Sequence, residues 1–256
     1  PMHCPNCTVK LFADDVKVYK LITTPDDRLT LQTSLDLICQ WADVNKLDLS
    51  VEKCSYLQVG YTNLVLNYKL NSEFISPSDS ITDLGICVHS SLKSRPRCSS
   101  IVSRASARAR LILKTFSRNV RLLTRAFTVY VRPLLEYCTP VWSPHYKKDV
   151  DLVENVQRTF TRKLFFICHL PATSCDNRLH FLGLQRLELR RIHFDLIYMF
   201  KLTHNLTLSS LSNTLCFTNN STRGHKYKLL IQRCNKSVFS TYFTNRVAPV
   251  WNYLPV

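Results

Sequence analysis

Lys10-Leu11-Phe12-Ala13-Asp14-Asp15-Val16-Lys17-Val18-Tyr19 sets two adjacent carboxylates where two β-prone runs meet. Phe12, Val16, Val18 and Tyr19 are strand formers, so the stretch reads as a hairpin with Asp14 and Asp15 at its tip. Carboxylate oxygens exposed at such a tip suit Mg²⁺ or Mn²⁺, and a pair of those ions can clamp the attacking and leaving oxygens of a phosphoryl transfer. The same dipeptide also serves as a turn former or a helix cap, as Asp26-Asp27 does further on. On spacing alone both readings stay open. The hairpin starts within about ten residues of Pro1 with no earlier element to pack against, so the chain reads as truncated.

Downstream of the hairpin, Thr24-Pro25-Asp26-Asp27 is a helix start: Thr24 as N-cap, Pro25 at the first position, and acids at the positive end of the dipole. The helix is expected to run to about Val44, with Leu31, Leu35, Ile38 and Ala42 at helical spacing and Leu37 and Trp41 widening the stripe. Leu47 to Val51 and Cys54 to Val59 read as short strands, with Lys53 just before the second. Tyr61 to Ser80 is polar and alternating, a weaker strand pattern. Ile81 to Val88 reads as one strand with Gly85 at its centre, the mark of a bulge or a close backbone approach.

The 256 residues carry 34 Lys and Arg against 18 Asp and Glu, a net charge of +16. That balance suits a polyanionic partner, nucleic acid first and an anionic membrane surface second. No apolar run reaches the roughly 18 residues that span a bilayer, and the N-terminus lacks a basic segment followed by an apolar one. The chain therefore reads as soluble and intracellular. Its 11 cysteines are odd in number and scattered, which fits buried free thiols better than a disulfide framework. Cys4-x-x-Cys7 beside His3 is half a zinc site, and Cys168, His169, Cys175 and His180 form a loose cluster. Neither has the paired spacing of a zinc ribbon or knuckle. The tripeptides at Asn6, Asn205, Asn219, Asn220 and Asn235 fit the glycosylation pattern, which carries no meaning without a secretory signal.

Between Leu84 and Leu135 there is no Asp or Glu, while Lys93, Arg95, Arg97, Arg104, Arg108, Arg110, Lys114, Arg118, Arg121, Arg125 and Arg132 all fall there. The shift marks a new unit, opening on an alanine-rich helix around Ala105 to Leu113. Arg110, Lys114, Arg118, Arg121 and Arg125 recur at helical spacing and form one basic stripe if the register continues past Asn119. A solvated helix face normally carries both signs of charge, so an acid-free stripe favours contact with a phosphate backbone. Arg121 to Tyr137 reads as a second helix, kinked or ended by Pro133, and Trp142 lies in a loop between Pro140 and Pro144. Lys147 to Phe166 is an amphipathic helix with Val150, Val153, Val156, Phe160 and Leu164 inside and Gln157, Arg158, Arg162 and Lys163 outside. Arg178 to Leu184 and Leu187 to His204 come next as helices, the latter with Leu189, Ile192, Leu196, Met199 and Phe200 inside and Arg190-Arg191 outside. Asn205 to Thr222 reads as loop, and Lys226 to Pro255 as a basic, aromatic, compact end. No internal repeat, Gly-rich phosphate loop or Ser/His/Asp or Cys/His arrangement is present.

The order of these features, from acidic hairpin to basic helical unit, resembles the second half of a right-handed polymerase palm followed by its thumb. In particular the chain resembles the reverse transcriptases of non-LTR (LINE-like, jockey-type) retrotransposons. Phe12-Ala13-Asp14-Asp15 matches their catalytic box; Trp41, Asn45 and the run from Leu47 to Lys53 match the next motif; Leu84-Gly85-Ile86 resembles the primer-grip strand. Tyr130 to Tyr137, Val141-Trp142-Ser143-Pro144 and Glu154-x-x-Gln157-Arg158 look like the thumb signature, and Arg190-Arg191 and Arg246 to Pro255 fit the segment C-terminal to the thumb in these elements. Asp48-Leu49-Ser50-Val51-Glu52 departs from the family in lacking its usual Asn-Pro. The likeness implies an α+β fold: a partial right-hand palm of hairpin, helix and short antiparallel strands over residues 1–92, a mainly helical basic thumb over 93–170, and a helical, aromatic-basic C-terminal extension over 171–256.

It also implies an RNA-directed DNA polymerase that works by two-metal nucleotidyl transfer in the cytoplasm and nucleus. Its partners are an RNA template, a DNA primer and dNTPs, and no membrane. Asp14 and Asp15 would bind Mg²⁺ or Mn²⁺ with an aspartate of an earlier palm strand, Lys53 would neutralise or protonate the leaving pyrophosphate, and Leu84, Gly85 and Ile86 would position the primer. Arg104, Arg108, Arg110, Lys114, Arg118, Arg121 and Arg125 would hold the nucleic-acid backbone. The family's fingers, its earlier palm aspartate, its dNTP-selecting motif and its endonuclease would all precede the hairpin, so this chain alone is expected to be inactive. A non-catalytic nucleic-acid-binding remnant or domesticated module is the alternative reading.

Overall fold

The computed structural model describes residues 7–60, 67–218, 225–235 and 237–255, so the Cys4 and His3 of the half zinc site, Tyr61 to Leu66 of the alternating segment, and Asn6, Asn219 and Asn220 lie outside the described residues. The fold is α+β and divides into two compact units, one formed by residues up to Asp83 with His89–Ser91, the other by Leu84–Val88 with Leu92 onwards.

In the first unit, strand β1 (Thr8–Phe12) pairs antiparallel with β2 (Asp15–Tyr19), with Phe12 opposite Asp15. Only Ala13 and Asp14 remain to make the turn, and Ala13 takes a left-handed φ of 52°, as two-residue hairpin loops require where strand twist must be matched. Helix α1 (Pro25–Val44) starts as its sequence predicts. The Thr24 hydroxyl accepts a hydrogen bond from the Asp27 amide (3.3 Å), and the Asp27 carboxylate accepts from the Thr24 amide (2.8 Å), a closed capping box. Ile38 and Ala42 of the expected stripe are buried. Leu31 and Leu35 pack around a small cluster of Cys39, Tyr68, Leu70 and Ile75, whereas Trp41 stays exposed.

Leu47 to Val51 is not a strand. The α1 C-terminus closes as a Schellman motif, with the Lys46 amide donating to Asp43 O and the Leu47 amide to Ala42 O, and Lys46 itself left-handed at φ 55°. A 3₁₀ turn (Val51–Lys53) then leads to β3 (Ser55–Leu57), the core of the strand expected over Cys54 to Val59. Strand β4 (Lys69–Leu70) pairs antiparallel with β5 (Glu73–Phe74), but β3 pairs in parallel with β6 (Ser76–Ser78). The stretch between β3 and β6, which contains the β4–β5 hairpin, is long enough for the crossover that a parallel pair needs. Not all the strands are antiparallel, then. Ile81 to Val88 likewise resolves into two strands, β7 (Ser80–Asp83) and β8 (Ile86–His89). They are separated by Leu84 and Gly85 with φ of 46° and 77°, two left-handed residues in the pattern of a type I′ turn.

The second unit is helical after β8: α2 (Arg95–Thr115), α3 (Val120–Ala126), a π turn (Phe127–Val131), α4 (Arg132–Glu136), α5 (Thr139–Trp142), α6 (Lys147–Ile167), α7 (Cys175–Phe181) and α8 (Leu187–Thr203). Helices α3 and α4 form the second helix of the sequence reading. Pro133 has no amide to donate, and the Arg132 amide reaches back five residues to Phe127 O, so the chain passes the proline by widening one turn instead of ending. Residues around Trp142, expected in a loop, form α5. One core, including Phe127 stacked on Phe160 at 4.5 Å, runs from Ile86 to Leu187 and so crosses residue 170. A second cluster joins Met199 and Leu202 of α8 to Leu229 and to Val247 and Trp251 of α10 (Phe243–Asn252), the compact end. The short α9 (Ser237–Ser240) precedes α10.

Charged side chains depart furthest from simple amphipathicity. Gln157, expected outside, is fully buried: its amide donates to Gln185 O (2.9 Å) and Glu154 Oε1 (3.3 Å), while Glu154 Oε2 accepts the Glu188 amide (3.3 Å). Arg191 is buried at 3% exposure, and Arg190 is paired with Glu136 through its Nε and through Nη2 at 3.0 Å. Leu189, Ile192 and Phe200, expected inside, are exposed, because α8 turns Leu187, Arg191, Asp195, Met199 and Leu202 inward. Arg246 of α10 donates to Asp195 (2.9 and 3.2 Å) and to Pro140 O (2.9 Å). Of the described cysteines, all free, only Cys39 and Cys98 are buried; Cys138 and Cys216 are exposed, so the buried-thiol expectation holds for a minority.

Candidate nucleic-acid interface

The first unit presents Asp14 at the centre of the two-residue turn and Asp15 as the first residue of β2, both exposed and, among the described residues, in no ion pair. Their neighbour Lys17 pairs instead with Asp83. Lys53 ends the 3₁₀ turn, exposed and likewise without an ion pair among the described residues. The donor set at the tip has the right chemistry for Mg²⁺ or Mn²⁺. One or two carboxylates, with water and substrate phosphates completing the shell, are what Mg²⁺ sites commonly use, and among the described residues no group of three His, Cys, Asp or Glu is placed to hold a metal. The described part of the Cys168, His169, Cys175 and His180 cluster forms no such group either.

In the second unit the Leu84–Gly85 turn is held by its backbone. Tyr137 donates its hydroxyl to Leu84 O (3.1 Å), and Arg97 Nη1 donates to Gly85 O (2.7 Å). The Arg97 guanidinium, buried and with its pKa lowered mainly by that burial, sits 5.7 Å from the Trp142 ring, whose Nε1 donates to Tyr137 O (2.8 Å). Arg97, Tyr137 and Trp142 thus form one clamp on two carbonyls. Of the three residues expected to position a primer, Ile86 is buried in the core, and Gly85 provides the left-handed turn with its carbonyl taken. Only Leu84 offers an exposed side chain. The clamp was not legible in sequence, where Arg97 was one arginine in a basic run and Trp142 a loop residue.

The seven basic residues Arg104, Arg108, Arg110, Lys114, Arg118, Arg121 and Arg125 are all exposed, and none forms an ion pair among the described residues. They do not make one stripe. Phe116 is extended, and Asn119 starts a new helix by accepting the Leu122 amide on its side chain (3.0 Å), so the register of α2 ends before Arg118. Within α2, Arg104 and Arg108 lie one turn apart on one flank. Arg110 and Lys114 lie about two thirds of a turn round the helix from them. Arg108 also donates to Tyr130 O (3.2 Å), which fixes it against the π turn. Arg121 and Arg125 stand one turn apart on α3 and line an open groove of about 780 Å³ whose other wall is Phe181 and Leu182 at the end of α7. That groove was not foreseen, since Phe181 is remote in sequence from the arginines.

No helix among the described residues is long and apolar enough to cross a membrane. No family model and no solved structure matches the chain. Over 100 residues it is 31% identical to a Caenorhabditis elegans protein described only as uncharacterized, a match that takes in 39% of this chain and 50% of that protein. The chain spans about half the length of that curated relative.

Proposed function

We propose that the chain is the C-terminal palm and thumb portion of a non-LTR retrotransposon-type reverse transcriptase, an RNA-directed DNA polymerase. The observation that carries the reading is the tight hairpin that leaves Asp14 and Asp15 exposed, in no ion pair among the described residues, at the head of a chain whose next unit is helical, basic and acid-free over its first fifty or so residues. Carboxylates kept free of lysine and arginine at a turn are what a divalent cation site needs, and a structural turn has no such need. When bound, Mg²⁺ or Mn²⁺ would activate the primer hydroxyl and stabilise the departing pyrophosphate. Asp14 and Asp15 would supply its protein oxygens on one side, with the remaining carboxylate coming from a fingers-and-palm portion of the same polyprotein.

The rest of the assignment concerns this chain's own residues. Lys53 is a cation for the leaving group. Leu84 touches the primer end while Gly85 and Ile86 keep it in place through the Arg97–Tyr137–Trp142 clamp. The basic helices hold an RNA–DNA hybrid by its phosphates without reading sequence. Because unpaired guanidinium and ammonium groups displace counterions, hybrid binding by the purified chain should weaken about 10³-fold or more between 50 and 200 mM salt if six or more phosphates are contacted.

Titrating the chain with an RNA–DNA hybrid at several salt concentrations, then with Mn²⁺ while following the broadening of Asp14 and Asp15 resonances, tests both halves. Steep salt dependence with weak Mn²⁺ broadening, lost in Asp14→Ala, is expected, together with no dNTP incorporation by the chain alone. Template-directed incorporation by the chain alone, abolished by Asp14→Ala, would overturn the account of the site as one wall. Hybrid binding with no Mn²⁺ effect would favour the non-catalytic binding module.

A further inference from the structure

The groove between α3 and the end of α7 has a composition that a duplex backbone does not call for. Arg121 and Arg125, about 6 Å apart along the helix axis, line it together with Leu122 and Phe181, and Asn119, Thr124 and Thr128 add hydrogen-bonding groups. Phe181 is 62% exposed and Leu122 40%. One T-shaped contact of Phe181 with Phe165, at 5.5 Å, anchors the ring, which still stays largely exposed. A large ring left bare beside two arginines that lack acidic partners among the described residues is an amphipathic wall whose charge selects an anion and whose ring selects a flat apolar group. In a duplex each base face is covered by its neighbours, so the ring gains nothing from paired nucleic acid. An unpaired base has a free face, and stacking on aromatic side chains is the main sequence-tolerant source of single-strand affinity.

We propose that this groove binds an unpaired nucleotide of a single-stranded segment, its base against Phe181 and Leu122 and its flanking phosphates against Arg121 and Arg125. The inference deepens the nucleic-acid reading above and rests on it: the helical unit would hold a strand that has left, or not yet entered, the paired region.

Fluorescence anisotropy of the whole chain with a labelled oligouridylate and with an RNA–DNA hybrid tests it. Phe181→Ala should weaken oligouridylate binding about 10-fold and leave hybrid binding within about 2-fold. Phe181→Trp should retain binding and show extra tryptophan quenching on adding oligouridylate, which keeps the test decisive if the alanine variant unpacks α7. Arg121→Gln with Arg125→Gln should lower the salt slope for the oligouridylate by about 1.4. Equal losses for both ligands, an unquenched Phe181→Trp, or equally tight binding of polyglutamate would overturn the stacking site while the polymerase reading stands. Failure of the parent chain to bind either nucleic acid at low salt would overturn both.

Discussion

The two units stabilise charge in opposite ways. In the first, the charged group that matters most to local structure caps a helix: Asp27 is half-buried, pairs with Lys20 (3.2 Å) and accepts hydrogen bonds from the amides and hydroxyls of Thr23 and Thr24, which hold its carboxyl well below the usual carboxylate range. In the second, charges are taken inside. Burial pushes the Glu154 and Asp195 carboxyls up and the Arg191 guanidinium down, and the partners Glu188 amide and Arg246 offset only part of that desolvation. A small core of short strands and one helix relies on the caps of its elements. A helical core large enough to enclose side chains can use ion pairs to specify how its helices meet, at a desolvation cost.

The strongest way to break this contrast is in the larger core. Phe127→Ala removes a fully buried ring stacked on Phe160 and should cost the second unit about 4 kcal/mol. Amide exchange should rise throughout α2, α6 and α8 and stay unchanged in α1. Loss of protection in α1 to the same extent would mean that the units unfold together and the contrast is only geometric.

Asp195→Ala comes next. It leaves Arg246 part-buried without its bidentate partner and should cost about 3 kcal/mol, read as a lowered urea midpoint for α8 and α10 with the α2–α6 core less affected. An Asp195→Ala, Arg246→Met double variant recovering most of that loss would show that the pair serves specificity more than stability.

The smallest effects belong to the first unit. Thr24→Ala should cost α1 about 1 kcal/mol, visible as faster exchange in its first turn. Because the Asp27 pKa is depressed in the folded chain, the stability it contributes is fully present above its ordinary value of 3.8 and is lost as pH falls through the lower folded value. For Glu154 and Asp195, whose folded pKa values are raised, the contribution is present below the ordinary carboxylate range and is lost as pH rises through the folded values. Acidification below about pH 4 should therefore loosen the start of α1 while leaving the α6–α8 junction intact, as exchange corrected for intrinsic rates would report. Simultaneous loosening would erase the distinction.

Much of the first unit was legible because its signals are local. Thr24-Pro25-Asp26-Asp27 contains its own cap, and the strand formers on either side of Ala13 and Asp14 force a hairpin with little choice of register. The end of α1 was not legible, since Lys46 takes the left-handed position where glycine is usual, so the Schellman closure has no compositional mark. Nor was the Leu84–Gly85 break, where a glycine at the centre of an apolar run signals a turn and a bulge alike. In the second unit α3–α4, α6, α7 and α8 were readable to within a few residues, but the start of α2, the short α5 around Trp142 and the buried faces were not. Periodicity assigns Gln157 and Arg191 to solvent because it counts polarity, and it cannot see that Gln185 O and Glu154, remote from the face it counts, take up the Gln157 amide.

Sequence by itself therefore determined the acidic tip of the hairpin, the capped helix behind it and the acid-free basic stretch, since each depends on residues within a few positions of one another. Tertiary structure alone decided that the basic residues divide between flanks of α2 and the groove of α3, that Arg97, Tyr137 and Trp142 close on the Leu84–Gly85 turn, and that Phe181 lines the same groove as Arg121 and Arg125. These are meetings of side chains from separate helices. They are set by which faces of separate helices can be packed together, a condition that no single stretch of chain contains.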